Sequence, residues 1–511
     1  MTDNRDPLLI GVDFGTTNIK AIAFDVAGRV AARASVPTPT RIPQPGRAYY
    51  EPQELWQRTL SALRQVTEKL DDPRRVSGLG FSSLGETAIP LDAQDAPTYD
   101  AIAWYDTRTE PQAEQLQRTI GQDRLFATTG LSLSHIFGLC KLLWLRQAEP
   151  DAYARTVRWL NVADYLAYRM SGTAATDYSL ASRMMCLDLR SLNWADDLLA
   201  EAGVSADRFA PLAPSGTDLG PLLPDVARAI GLPAGVRVGV GGHDHVCGAL
   251  AAGAVHPGMA LNSMGTSEVM FTPLDAPLTA AELGRSGYQV GVHVDGKHYY
   301  VWGSIPTSGA CVDWFRSLFA AETDYATLIA EGEQAPPGSR GVFFLPHLRS
   351  AMTPHADAKS LGAFIGLTTD ADRSVLFRSV LEGVAFEIRD GLDVLRSYLP
   401  TPISRVVAIG GGTRNRLLVQ IKASVLNQAI EVVDMAEAVA LGAAMLGGIA
   451  AGIYADAADA MSKVHFSGTV IEPVAEHTAL YETIFRRVYQ EMYPTLRGLN
   501  HEIYALRTDS L

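Results

Sequence analysis

Cysteine is scarce in this chain. There are four in 511 residues, Cys140, Cys186, Cys247 and Cys311, with no C-x-x-C pair among them. That spacing excludes a compact zinc site and a disulfide-stapled scaffold, so reduced thiols in a reducing compartment are the expectation. Also missing are an apolar run of membrane-spanning length and a block of like charge that would form a tail. Met1 to Asp6 is polar and lacks the basic start and apolar core of a signal peptide, which makes a cytoplasmic location the expectation. Basic residues are outnumbered, 43 Lys and Arg against 56 Asp and Glu. The resulting net charge of −13 argues against nucleic acid or an anionic membrane as partner, since either needs a basic patch. Neither a Walker A pattern nor G-x-G-x-x-G occurs, and the nearest approaches end in Asp244 and Asn415 where the last glycine belongs. A bound nucleotide would therefore be held by neither a P-loop nor a Rossmann fingerprint. No tandem repeat or low-complexity tract is evident.

What is present is a large apolar interior, with 47% hydrophobic and 19% charged residues over a length that exceeds one core. Strand and helix patterns alternate. Leu8 to Val12 and Ala21 to Phe24 read as paired strands, Glu54 to Leu70 as an amphipathic helix, and Val76 to Ser82 as a strand before a polar turn. Two small-residue segments, Gly241 to Gly253 and Ala438 to Gly452, suit helices packed closely at a hinge between two lobes. Three turns are of a kind that accepts phosphate. The first is Gly15-Thr16-Thr17-Asn18, between the first two strands. The second is Gly265-Thr266-Ser267, and the third is Gly410-Gly411-Gly412, before a helix around Leu417 to Leu426. Small turns offer backbone N–H groups without side-chain bulk, and a helix N-terminus adds positive potential. Asp13, ending the first strand, stands where a magnesium ion needs a carboxylate.

In that order, Asp-x-Gly-Thr-Thr, Gly-x-x-Asp, Gly-Thr-Ser and Gly-Gly-Gly-x-x-Asn resemble the FGGY carbohydrate kinases, and the resemblance covers nearly the whole chain. Lys141-Leu142-Leu143-Trp144-Leu145 and Gly362 to Leu367 with Ser379 to Gly383 look like the two family signatures. Thr353-Pro354-His355 is similar to the xylulokinase-like branch. The resemblance implies an α/β, two-lobed actin-like ATPase (ribonuclease H-like) fold with a central cleft. Residues 1–250 would form the N-terminal lobe, with sugar and phosphate sites, and residues 251–511 the C-terminal lobe, with the adenosine site. The last helices are left free to pack back across the lobes.

The implied activity is transfer of the γ-phosphate of ATP to a hydroxyl of a small sugar, with Mg2+ as cofactor. Asp244 matches the catalytic base, with a helix N-cap as its structural alternative. Thr16, Thr17, Asn18 and Lys20 match the first phosphate motif, and Gly265 and Thr266 the second. Gly309, Gly411 and Asn415 match positions that hold adenosine and its phosphates, and Asp13 the position associated with magnesium. Gly85, Glu86, Trp104 and Asp106 are expected to face the sugar, with His135, Phe137 and His243 as further lining candidates. A ketopentose such as xylulose and a linear polyol both stay open as acceptor, because Glu86 is similar to the Glu of glycerol kinases but follows Gly85 rather than Arg. An actin-like ATPase without sugar kinase activity is the rival from another class. Whether the chain forms a homodimer is left open.

Overall fold

The computed structural model describes residues 6–464 and 466–509. Met1 to Arg5, most of the stretch read as unlike a signal peptide, lie outside them.

The first half supplies β1 (Leu8–Phe14), β2 (Asn18–Asp25), β3 (Val30–Pro37), α1 (Pro52–Thr67), β4 (Val76–Ser83), α2 (Gly138–Ala148), β5 (Asp218–Pro221), β6 (Arg237–Gly239), β7 (Gly242–His243) and α3 (Asp244–Ala251). Its sheet runs β5-β6-β4-β1-β2-β3, with β7 also on β4. The pairs β1–β2 and β2–β3 are antiparallel, while β4 lies parallel to both β1 and β6. Helix α1 starts at Pro52, whose missing N–H costs nothing in a first turn. It buries Leu55, Trp56, Leu60, Leu63 and Val66, the spacing of a helix with one apolar face. It stops at Thr67, short of the expected Leu70, where the Thr67 hydroxyl donates to the Ile230 carbonyl at 2.6 Å.

The second half supplies β8 (Met259–Met264), β9 (Glu268–Leu274), β10 (Gln289–Val292), β11 (Tyr299–Ile305), α4 (Gly309–Phe319), α5 (Arg373–Arg396), β12 (Arg405–Ile409), α6 (Arg416–Leu426), β13 (Ile430–Val433), α7 (Ala438–Ala450) and β14 (Gly468–Ile471). Its sheet runs β10-β11-β9-β8-β12-β13-β14. A hairpin whose first strand carries a parallel neighbour thus occurs twice, β1–β2 with β4 and β8–β9 with β12. The small-residue helix follows the next parallel strands in each half. This duplication has no counterpart in sequence period, because topology is kept by burial pattern rather than by residue identity.

The two small-residue helices lie between the sheets, as their composition implied. A third apolar cluster built on α3 and α7 joins Leu9 and Phe24 of the first sheet to Leu261 and Val407 of the second. Helix α7, although late in the chain, lies directly on β1 and β4. A Cβ on Gly11 would stand 1.7 Å from the Ala440 carbonyl oxygen, and one on Gly80 would stand 1.9 Å from that of Ala443. Only bare backbone permits that approach. The terminal helices pack on the second half. Tyr481, Phe485 and Tyr489 bury on Phe386 of α5 in the second half. All four cysteines are free and buried. Among the described residues, no helix is long and apolar enough to cross a membrane.

Candidate active site

The β1–β2 hairpin presents Thr16 and Thr17 exposed, while Asn18 opens β2. Thr38 straps the turn from β3's far end, its N–H donating to Thr17 O at 3.0 Å and its hydroxyl to Gly15 O at 2.7 Å. Asp13 pairs across the hairpin with Lys20 and accepts from Ser82 Oγ at 3.3 Å. Burial, with the negative charge of Asp244 next, pushes its carboxyl up to about 7. Lys20 does not present a free ammonium to the turn, because its Nζ donates to Glu437 at the start of α7, at 2.9 Å. That bond ties the first sheet to the start of α7.

A cavity of about 450 Å³ opens beside this hairpin and collects residues from both halves. Thr16, Gly85, Glu86, Trp104 and Asp244 line it from the first half, and Thr266, Gln289 and Trp302 from the second. Trp104, 36% exposed, donates from Nε1 to Thr16 Oγ1 at 3.1 Å, joining this wall to the β1–β2 turn. Glu86 sits at φ 62°, an uncommon region for a side-chain-bearing residue. Lys141 holds it there, donating from Nζ to the Glu86 carbonyl at 2.5 Å. Burial pushes the Lys141 ammonium down to about 7, with Glu86 and Asp106 opposing. The Glu86 carboxylate accepts from Arg183 Nε at 2.6 Å, and Arg183 Nη1 donates to Gln289 Oε1 at 2.6 Å. The guanidinium stacks on Trp302, 4.7 Å from its ring centre, and on Phe137.

Asp244 opens α3, with its side chain 22% exposed, and accepts from its neighbour His245 N–H at 2.6 Å. The cap position of α3 is His243, whose side chain makes no capping bond, and Asp244 is the first helical residue, so the N-cap alternative is not what is seen. Burial pushes the Asp244 carboxyl up to about 7, helped by Glu86 and opposed by His245 N–H and Arg183. The same burial drives His243 well below its ordinary value and His245 down to about 4, so both flank Asp244 as neutral rings.

Asp106 is a correction. Instead of facing the cavity it is fully buried, accepting from Ala48 N–H at 2.6 Å and from Arg108 Nε and Nη2 at 2.8 and 2.7 Å. It closes its own turn by also accepting Arg108 N–H. Phe137 lies under Arg183, whereas the His135 carbonyl accepts from Thr109.

A second cavity, about 640 Å³, is lined by Gly265, Thr266, Gly309, Gly411 and Asn415 among others, and it shares Thr266 with the first. The Gly309 amide is not free for phosphate, since it donates to Gly265 O at 3.1 Å. Glycine is required there because a Cβ would stand 2.5 Å from that oxygen. At Gly411 a Cβ would meet nothing within 4 Å, so the position faces the cavity and leaves room for a ligand. Asn415 caps α6, its Oδ1 accepting from Leu418 N–H at 3.1 Å. Among the described residues no group of three or more His, Cys, Asp or Glu could hold a metal alone. Magnesium takes few protein ligands and completes its shell from phosphate and water, so a single carboxylate such as Asp13 is a donor set that fits it. Arg183, Gln289 and Trp302 were not found from sequence. The one local signal for Arg183 is the Asp177 cap of the short helix Tyr178–Ser182, which sets the residue that follows it.

Two family descriptions match, the N-terminal domain of the FGGY family of carbohydrate kinases over residues 8–251 and its C-terminal domain over residues 260–451. The chain is 30% identical to the xylulose kinase of Bacillus subtilis, covering 98% of this chain and 99% of that one. It is 32% identical to the xylulose kinase of Escherichia coli, covering 96% and 100%. The solved xylulose kinase of Rhodospirillum rubrum superposes with a TM-score of 0.90 at 26% identity, over 97% of this chain and all of that one. With both domains matched in order and the actin-like architecture in place, this chain belongs to the FGGY family of carbohydrate kinases, ATP-dependent phosphotransferases with an alcohol group as acceptor.

Proposed function

We propose that the acceptor is a ketopentose, with xylulose the first candidate, and that Asp244 is the base. The observation that carries this reading is that two cavities meet at Thr266, with Asp244 on the wall of the smaller one. The smaller is walled by Trp104, Trp302 and the Glu86–Arg183 pair, the mix of apolar faces and hydrogen-bonding groups that suits a sugar. The larger takes the nucleotide, its glycine turn and α6 N-terminus facing the phosphates. In the transfer, the acceptor oxygen attacks the γ-phosphorus and its proton passes to Asp244. The bond from phosphorus to the β–γ bridging oxygen breaks, releasing ADP. Asp13 would hold a magnesium ion together with the phosphate oxygens, which would neutralise charge there. A carboxyl held near 7 is matched to proton transfer at neutral pH. Closure of the lobes about α3 and α7 would exclude water, so that phosphate goes to the sugar rather than to hydrolysis.

ADP release with Mg-ATP tests this, using xylulose, other ketopentoses, aldoses and linear polyols, each against a blank without acceptor. A response led by xylulose is expected. A response led by glycerol or erythritol would replace it with the polyol reading that Glu86 left open, and turnover indifferent to every acceptor would overturn the assignment.

A further inference from the structure

We propose that a buried quartet, Glu268, Lys422, Asn262 and Ser308, is a positioning device for the nucleotide site, holding its three wall segments in one register. The proposal rests on the reading of the 640 Å³ cavity as that site. Glu268 and Lys422 are completely buried, and Asn262 and Ser308 nearly so. The Lys422 ammonium donates to Glu268 Oε1 and, at 3.3 Å, to Asn262 Oδ1. Asn262 Nδ2 donates to Glu268 Oε1 at 2.7 Å, and Ser308 Oγ donates to Glu268 Oε2 at 2.5 Å.

The members come from three segments that form the wall: the hairpin around the Gly265–Ser267 turn, the start of α4, and α6. Glu268 ends the Gly265–Ser267 turn and opens β9. Asn262 lies in β8, on the other side of that turn. Ser308 precedes α4 and itself lines the cavity. Lys422 stands one helical turn beyond Leu418, another lining residue, on α6. A second layer depends on this register. The N–H groups of Ser308 and Ala310 donate to Thr266 O at 3.1 and 3.0 Å, and that of Gly309 donates to Gly265 O. These bonds close only while the start of α4 stays beside the turn, which is what the Ser308–Glu268 bond secures.

Stability alone does not account for the quartet. A buried ion pair is offset by the desolvation of both charges, and apolar residues of similar volume do as well or better. What an apolar replacement cannot supply is direction. Glu268 accepts three bonds from three segments in a fixed geometry, and a 1 Å error in placement is costly at a reacting phosphate.

The test compares E268Q, K422M and the double apolar variant E268L/K422M with the parent. Read-outs are calorimetric affinity for Mg-ADP, KM for ATP, KM for the sugar and melting temperature. ADP affinity is expected to fall about tenfold, the size of one misplaced hydrogen bond, with sugar KM within about twofold. In the double variant the melting temperature recovers, because no charge is left buried alone, while ADP affinity stays low. Recovery of ADP affinity together with melting temperature would overturn the proposal, since the quartet would then be structural only. A rise of both KM values together would overturn it as well. If the single variants do not fold, the double variant carries the test. Gly411→Val is the control for the underlying reading, and normal ADP binding by that variant would remove the nucleotide site and the proposal with it.

Discussion

Replacing Asp244 with asparagine should slow the reaction and at the same time make the free protein more stable. The carboxyl is lifted from its ordinary 3.8 to about 7 in the folded chain, burial being the main cause. About three units at 1.36 kcal/mol each sets a ceiling of about 4 kcal/mol. The side chain keeps 22% exposure, and solvent screening brings the expected value nearer to about 2 kcal/mol. The sign follows from proton binding. Because the folded pKa is raised, the folded state binds the proton more tightly than the unfolded chain does. That contribution to stability is intact below 3.8, shrinks as pH rises, and is gone above 7. Asparagine carries no charge to bury, so Asp244→Asn should exceed the parent above pH 7 and match it near pH 4. For lobes of this size, about 2 kcal/mol corresponds to a rise of about 5 °C in melting temperature. Scanning calorimetry at pH 8 and pH 4, with EDTA and no substrates, reads this directly. In parallel, kcat should fall by about 10² to 10⁴, the usual range for a lost general base. The parent's kcat/KM should rise with pH through about 7, because the base must be ionised, and the variant should lack that limb. A melting temperature at pH 8 no higher than the parent's would refute the burial argument, and retained turnover would remove Asp244 as base.

Other changes separate folding from function. Arg183→Ala strands Glu86 as a buried charge without its guanidinium and should cost about 3–5 kcal/mol in denaturant unfolding. Arg183→Met with Glu86→Gln should recover most of that loss while sugar KM stays high. Gly411→Val faces open cavity, so its melting temperature should change by about a degree at most while ADP binding drops about tenfold or more, measured by titration. Gly80→Ala drives a Cβ into the Ala443 carbonyl and should cost roughly 3 kcal/mol or prevent folding, since neither backbone can yield. Gly235→Ala, with no neighbour within 4 Å, should lie within about 1 kcal/mol of the parent in the same unfolding assay.

How legible a residue was depended on how local its determinants are. The β1–β2 hairpin could be read because strand, turn and strand lie within 18 residues, and its apolar runs fix pairing and register together. The composition of Ala438–Ala450 announced close packing because Ala and Gly admit little else. Asp106 was misread although its signal was local. An Asp two residues before an Arg can accept both its amide and its guanidinium, which closes a turn and leaves no oxygen for a ligand. Lys20 was placed correctly on its strand, but its partner Glu437 is 417 residues away. Arg183 reaches Glu86 across 97 residues.

By itself the sequence determined the alternation of strands and helices and the order of the small glycine turns, because these follow from hydrophobic period and small turn residues acting over short spans. The two-lobed fold was implied by the resemblance of those motifs, in their order, to the FGGY kinases. Tertiary structure decided which charges are neutralised, which amides are already spent, and that the two cavities meet at Thr266. Those properties depend on burial and on distances between segments far apart in the chain, and no local pattern encodes them.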